Sequence, residues 1–165
     1  MILVREISAD DWELMREVRL AALSEAPHAF ASTYGREAAF TEETWRGRIS
    51  KRSTTFFAYG DPAVSAVSDG RPAGLAGVYV ELEDADLVSM WVRPSARGTG
   101  VGEALVAAAV GWARANSYPT LFLWVAETNQ AARRLYQRCG FTATGEQQPV
   151  PSNPAVQEIR MSRAL

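Results

Sequence analysis

The residues best suited to chemistry in this chain lie at positions 97–102. They read Arg-Gly-Thr-Gly-Val-Gly and join an apolar, strand-like run to a helical pattern. Glycines at alternating positions let the backbone approach a ligand closely and adopt positive φ. The amides at the head of the next helix point outward with the positive end of its dipole, and Arg97 adds a formal charge. Such a turn can hold a pyrophosphate; the alternative is a connector that binds nothing.

Two common phosphate-binding motifs do not fit this segment. A dinucleotide-binding motif that starts at Gly98 needs glycine at position 103, where the chain has Glu103. A P-loop needs Gly-Lys-Ser/Thr after its spacer residues, and the chain contains no such run. The glycines alone therefore leave both the ligand and the connector interpretations open.

The residues around the glycines resemble the GNAT superfamily of N-acetyltransferases. The family's signature, Arg/Gln-x-x-Gly-x-Gly/Ala, matches residues 97–102, which follow Pro94 and precede an amphipathic helix. The family's second element matches residues 129–136, followed by Cys139-Gly140-Phe141. The order of elements agrees too, so the resemblance covers nearly the whole chain. It implies one domain over residues 1–165, of the α/β class, with a mixed, strongly twisted central sheet flanked by about four helices.

The resemblance implies acetyl-CoA as co-substrate. Its pantetheine arm would lie between strands at 85–92 and 120–126, bonded to strand backbone like an added strand. Residues 97–102 would hold the pyrophosphate, and the helix that starts at Asn129 would contact the arm. Asn129 is also suited to capping that helix, and the two roles are compatible. The predicted coenzyme site comprises Met90, Trp91, Val92, Arg97, Gly98, Thr99, Gly100, Val101, Gly102, Asn129, Ala132 and Tyr136.

Acyl transfer from a thioester to an amine needs a donor for the carbonyl oxygen, a donor for the leaving thiolate and a neutral amine. By resemblance, the Met90 N–H serves the oxygen and the Tyr136 hydroxyl serves the thiolate; the alternative for Tyr136 is packing. A primary ammonium has a pKa of about 10.4, so it needs a base, a water relay or desolvation. The candidate bases are Asp86, Glu81 and Glu127, for each of which a solvated carboxylate is the commoner role.

The acceptor is expected at residues 27–35, between the first two helices, and near residues 148–154. Phe30, Tyr34 and Trp91 are candidates to line a pocket for an apolar or aromatic body, with core packing as the alternative. Ribosomal-protein N-terminal acetyltransferases carry a glutamate where this chain has Trp124, so the sequence does not support that mechanism.

Three functions remain open. The leading hypothesis is acetylation of a small-molecule amine, such as a polyamine, an amino acid derivative or an amine-bearing antibiotic. The second is acetylation of a protein lysine or N-terminus. The third, of another class, is a coenzyme-binding sensor without turnover. The resemblance also implies that homodimers can form through the C-terminal strands.

Composition argues against several other partners. The net charge is −2 with no broad basic footprint for nucleic acid. His28 and Cys139 are the only histidine and cysteine, so we expect neither a clustered His/Cys metal site nor an intramolecular disulfide. The longest small-apolar stretch, residues 104–113, is far below the roughly 20 residues that span a bilayer. We expect a cytoplasmic protein.

The elements that position these residues follow from hydrophobic periodicity. Ser8 starts a helical pattern that runs to Pro27, and a second helix begins after Thr41. Asp69-Gly70 predicts a hairpin turn. Helices are also predicted at 102–115 and 129–139, and strands at 1–6, 54–59, 73–82, 85–92, 120–126 and 157–164. Residues 63–68 either continue the strand at 54–59 or pair separately.

Overall fold

The structure is a computed structural model that describes residues 1–61 and 70–165. Seven strands and five α-helices lie in these residues, with short 3-10 turns between them. The strands are β1 (Leu3–Glu6), β2 (Ser53–Tyr59), β3 (Gly74–Glu81), β4 (Asp84–Val92), β5 (Thr120–Ala126), β6 (Thr142–Val150) and β7 (Asn153–Ala164). The helices are α1 (Trp12–Glu25), α2 (Tyr34–Ala38), α3 (Glu42–Gly47), α4 (Val101–Ala115) and α5 (Gln130–Arg138).

All seven strands form one sheet, in the order β1-β2-β3-β4-β5-β7-β6. Neighbours are antiparallel except β4 and β5, which are parallel. The connection between these two contains α4, as a parallel crossover requires. The predicted mixed α/β class is confirmed.

The segment between α1 and β2 differs from the sequence prediction. We expected a loop at residues 27–35 and one helix after Thr41, but two short helices form. The Thr33 hydroxyl accepts from the Arg36 amide and starts α2, and the Thr41 hydroxyl accepts from the Thr44 amide and starts α3. The two caps are separate N-terminal signals, of which sequence reasoning used only the second.

The predicted hairpin before β3 is described only in part. Residues 63–68 and Asp69 lie outside the described residues. Gly70 has φ +73, a conformation that favours glycine. The strands on either side pair antiparallel, from Ser53 opposite Tyr79 to Ala58 opposite Gly74.

The sheet has a hydrophobic core on each face, because successive strand residues point to opposite sides. One core packs α4 against the sheet, through buried residues such as Leu105, Ala109 and Leu121. The other packs α1 and α3 against it, through residues such as Trp45 and Phe57. No helix in the described ranges is long and apolar enough to cross a bilayer.

Candidate active site

The parallel strands β4 and β5 pair over only three residues and then separate. Their paired positions are Ala85 with Leu121, Asp86 with Phe122 and Leu87 with Leu123. Beyond this point β5 continues to pair with β7 on its other side, as far as Ala126. Residues 88–92 of β4 therefore face an opening in the middle of the sheet.

A β-bulge lies in β4 at the start of this opening. Trp91 pairs with Leu75 and Val88 pairs with Gly77, so β4 has one more residue than β3 between these pairs. Ser89 has φ +59, and neither ladder pairs Ser89 or Met90. The bulge leaves backbone groups of β4 available to a ligand.

A buried ion-pair cluster holds the bulge from the α1 side. The Arg19 guanidinium donates to the Ser89 hydroxyl at 2.8 Å and to both carboxylate oxygens of Glu37 at 2.9 Å. Arg48 donates to Glu37 at 3.0 Å. Arg19 and Glu37 are buried, with exposed fractions of 5% and 1%. We call Arg19, Glu37 and Arg48 the arginine–glutamate cluster.

The opening leads into a cavity of about 740 Å³ that runs from β4 to the head of α4 and to α5. We call it the coenzyme cavity. Met90, Trp91 and Val92 line it on the β4 side. Gly98, Gly100, Gly102, Asn129, Ala132 and Tyr136 line the rest of it, together with Arg97. Ten of the twelve positions predicted to bind coenzyme line this one cavity, and Thr99 and Val101 do not.

The glycines shape the end of this cavity through backbone conformation. Gly98 and Gly100 have φ +76 and +91, which L-residues rarely adopt. Gly100 is the N-cap of α4 and has no side chain to satisfy the first amides of the helix. A Cβ on Gly102 would lie 3.0 Å from a Leu135 methyl group, so glycine lets α4 and α5 approach each other.

Thr99 and Val101 contact other parts of the protein instead. The Thr99 hydroxyl donates to the Ala96 carbonyl, and the Val101 side chain is buried in the core. Only their backbone amides remain for the predicted coenzyme role.

Arg97 is already engaged by protein groups. It donates to the Val92 carbonyl at 3.0 Å and to the Glu25 carboxylate at 2.8 Å. Glu25 also accepts the indole N–H of Trp91 at 2.8 Å. The Trp91 hydrogen bond, with that from Arg97, lowers the pKa of Glu25. The Arg97 side chain is half-exposed, so its guanidinium is partly open to solvent.

Helix α5 contributes a cap and a hydroxyl. The Asn129 side chain accepts from the Ala132 amide at 3.2 Å, the capping arrangement anticipated from sequence. Tyr136 is buried and contacts Phe141 edge-on, at 6.0 Å between ring centroids. Burial raises the pKa of Tyr136 well above its ordinary value, and Cys139 adds to the shift. The phenol is therefore an O–H donor at neutral pH.

A second cavity, of about 1140 Å³, lies beyond the bulge between the sheet and the α1–α3 segment. We call it the acceptor cavity. Asp86 lines it, and its Oδ1 atom is buried without a hydrogen bond, 3.6 Å from the Arg160 guanidinium. Burial raises the pKa of Asp86 above its ordinary value; Arg160 opposes the shift, and Asp84 and Glu81 add to it.

The other sequence candidates divide between the two cavities and the surface. Glu81 is exposed and lines the acceptor cavity, and buried Phe30 lines both cavities. Glu127 is exposed in the turn after β5 and lines neither. Gln148 and Pro151, from the predicted stretch 148–154, also line the acceptor cavity.

Two residues predicted to contact the acceptor, Tyr34 and Trp91, do not line the acceptor cavity. Tyr34 is half-exposed at the start of α2 and lines a surface groove against α1, because the Thr33 cap turns it outward. Trp91 lines the coenzyme cavity but not the acceptor cavity, since its indole is buried against the α1 core and bonded to Glu25.

Sequence reasoning missed the charged side chains that make up much of the acceptor cavity. They are the arginine–glutamate cluster, Arg160 and Glu158. Arg160 lies over the Phe122 ring at 4.0 Å and pairs with Asp84, Asp86 and Glu146. The alternation of β7 marks Glu158 and Arg160 as residues of one face, but not which face meets the cavity. The described residues contain no His/Cys/Asp/Glu group that could hold a metal ion.

Comparison with known proteins agrees with this architecture. A mycothiol acetyltransferase from Mycobacterium avium is 33% identical over 144 residues, which is 81% of this chain and 43% of that protein. The chain therefore spans less than half the length of this curated relative. A GCN5-related N-acetyltransferase from Kribbella flavida has a TM-score of 0.74 at 26% identity, covering 99% of this chain and 98% of that one.

A PaiA N-acetyltransferase from Thermoplasma acidophilum, solved in complex with coenzyme A, shares the fold. Its TM-score is 0.73 at 14% identity, covering 100% of this chain and 99% of that one. The family model described as the acetyltransferase (GNAT) family matches residues 15–141. With that match over most of its length, the chain belongs to the GNAT family of acetyltransferases.

Proposed function

We propose that residues 1–165 form a single N-acetyltransferase domain that moves the acetyl group of acetyl-CoA directly to a primary amine of a small-molecule acceptor. The observation that carries the proposal is the separation of β4 and β5 beside the glycine turn. Residues of this part of β4, of the α4 N-terminus and Tyr136 line one cavity, which supports the proposal.

The lining of the coenzyme cavity fits a long, partly peptide-like molecule that ends in phosphates. Pantetheine contains amides, and residues 88–92 offer strand backbone to them in the manner of β-augmentation. The uncapped head of α4 offers amide donors and a positive dipole end to a pyrophosphate. Arg97 adds charge once its guanidinium turns from Glu25 to the phosphates. A protein of the same fold that was solved with coenzyme A supports this assignment.

Two groups would then serve the reacting thioester. The amide of Met90, which neither ladder pairs, would donate to the carbonyl oxygen as negative charge grows on it. The Tyr136 hydroxyl would donate to the departing sulfur, and its raised pKa keeps the proton in place until that moment.

The acceptor cavity supports an amine with an apolar body. Asp86 and Glu158 offer carboxylates to an ammonium group, and Phe30 and Trp124 offer apolar and aromatic surface. A cationic amine is also attracted to aromatic faces. These features favour a small-molecule amine.

A second candidate function is acetylation of a protein lysine or N-terminus. The size of the acceptor cavity favours it, because about 1140 Å³ exceeds the roughly 300–1,000 Å³ of ordinary small-molecule sites. Thiol release measured with spermidine and with a lysine-containing peptide separates the two. Faster release with spermidine supports the small-molecule acceptor, and faster release with the peptide supports the protein acceptor.

Calorimetric titration with acetyl-CoA tests the coenzyme site. We expect the wild type to bind and Gly100→Trp to lose binding, because a bulky L-residue at φ +91 would distort the backbone amides at the head of α4. Gly111→Trp is the matched control: it lies in the same helix, exposed, with nothing near its Cβ position. Absence of binding by a folded wild type would refute the proposal. Binding without amine-dependent thiol release would leave the sensor function.

A further inference from the structure

The coenzyme cavity and the acceptor cavity share part of their walls. The shared residues come from β4, β5, β7, the segment after α1 and the turn before β7. Most are apolar or neutral, such as Phe30, Leu87, Ser89 and Trp124. Within the described chain, Glu158 is the one residue lining both cavities that has a titratable side chain.

The role inferred for Glu158 rests on the proposed function. The thioester carbon enters from the coenzyme cavity and the amine nitrogen from the acceptor cavity. The two atoms must come within about 3–3.5 Å of each other before they react. The reaction therefore takes place where the two cavities meet, beside Glu158.

The contacts of Glu158 leave one carboxylate oxygen available. Glu158 lies on β7, opposite Ala126 of β5 and Gln148 of β6. Its Oε1 accepts from the Gln148 amide at 2.7 Å, which fixes the orientation of the carboxylate. No second hydrogen bond or ion pair to this carboxylate is present among the described residues.

The neighbouring arginine side chains form ion pairs with carboxylates other than that of Glu158. Arg160, two residues along the same strand, is shared by Asp84, Asp86 and Glu146. Across the acceptor cavity, Arg19 is bound to Glu37. The Glu158 carboxylate therefore has no ion-pair partner among the described residues, and its second oxygen is open to a ligand.

The other candidate bases are less well placed. Asp86 and Glu81 line the acceptor cavity but not the coenzyme cavity, and Asp86 lies beside Arg160. His28 lines the coenzyme cavity alone. Glu127 lines neither.

We propose that Glu158 is a catalytic residue that takes the proton from the ammonium group of the acceptor. The carboxylate removes one proton, and the neutral amine attacks the thioester carbon, forming the C–N bond. The C–S bond then breaks, and its electron pair leaves on sulfur. The sulfur takes a proton from Tyr136, which regains one from the nitrogen of the intermediate through water. The proton on Glu158 passes to solvent, so the products are amide, free thiol and one proton.

The test compares acceptor amines that differ in basicity. At pH 7 an amine of pKa about 10.4, as in Nα-acetyllysine amide or spermidine, is almost wholly protonated. Alaninamide, with an α-amine of pKa about 8, is neutral in roughly a tenth of molecules. Glu158→Gln keeps the shape and the Gln148 contact but cannot take the proton. Glu43→Gln, exposed and outside both cavities, is the control.

We expect Glu158→Gln to lower kcat/KM for the more basic amines by about 10²–10⁴-fold at pH 7, with unchanged melting temperature and acetyl-CoA affinity. The loss for alaninamide should be at least about tenfold smaller, because fewer of its molecules need deprotonation. Equal losses for both amine classes, or a loss below about threefold, would overturn the assignment. Failure of the wild type to acetylate any of the three amines, despite binding acetyl-CoA, would instead overturn the proposed function and this inference with it.

Discussion

Two acidic side chains, Glu37 and Asp86, line the acceptor cavity, and their surroundings differ. Glu37 is 1% exposed and accepts three hydrogen bonds, two from Arg19 and one from Arg48. Asp86 is 16% exposed, lies 3.6 Å from Arg160 and has an oxygen without a hydrogen bond. The Glu37 carboxylate is fully paired inside the protein, whereas one carboxylate oxygen of Asp86 accepts no hydrogen bond.

The pKa values move in opposite directions. Burial alone would raise the pKa of Glu37, but the hydrogen bonds and charges of Arg19 and Arg48 outweigh it, so the pKa is lowered from 4.5. For Asp86, burial dominates and the pKa is raised from 3.8 despite Arg160. The difference separates a carboxylate that stabilises the fold from one whose burial costs stability, and groups of the second kind cluster at functional sites.

The largest expected change in stability follows from removing the paired carboxylate of Glu37. Glu37→Ala should lower the free energy of unfolding by about 3–5 kcal/mol, because it leaves the buried Arg19 guanidinium and the partly buried Arg48 guanidinium without their partner. Urea denaturation measures it. Glu42→Ala removes an exposed pair with Arg46 and should cost below about 1 kcal/mol. Similar losses in the two variants would contradict the structural role of the cluster.

The next largest change in stability is expected for Ser89, whose hydroxyl links the arginine–glutamate cluster to the β4 bulge. Ser89→Ala removes a hydroxyl that accepts from Arg19 and should cost about 1.5–3 kcal/mol. Since Ser89 precedes Met90, we also expect kcat to fall while the Kd for acetyl-CoA stays within a few-fold. A Ser89→Ala protein with unchanged stability would show that Arg19 does not depend on this contact.

The smallest expected change in stability is that of Asp86→Asn, and its sign is opposite, since this variant should be more stable than the wild type. The folded-state pKa of Asp86 lies above its unfolded value, so wild-type stability should rise as pH falls through that window. Asp86→Asn removes this pH dependence and should raise the free energy of unfolding at pH 7, by less than about 1 kcal/mol.

The pH dependence that Glu37 adds has the reverse sign: its contribution to stability is present above its unfolded pKa and is lost as pH falls through its lower folded pKa. Melting temperatures of the wild type, Asp86→Asn and Glu37→Gln from pH 3 to 7 check both signs. Destabilisation by Asp86→Asn at pH 7 would show that Asp86 is paired like Glu37.

Local sequence patterns account for the coenzyme half of the site. Alternate glycines, the Asn129 cap and the apolar run of β5 are short-range signals, and they predicted the turn, the helix start and the strand. The long-range parts could not be predicted in this way. Arg19 reaches Ser89 across 70 positions of sequence, and Glu158 reaches the cavities because β7 pairs with β5. Such contacts depend on strand order, which no window of sequence contains. Homodimer formation stays a prediction.

The measurement that tests the account most directly is amine-dependent release of free thiol from acetyl-CoA by the wild type and by Tyr136→Phe. We predict release by the wild type and about a 10²–10⁴-fold lower kcat for the variant, which keeps its affinity for acetyl-CoA and its melting temperature. A wild type that binds acetyl-CoA but releases no thiol with any amine would contradict the account. A Tyr136→Phe variant as fast as the wild type would contradict the role of the hydroxyl.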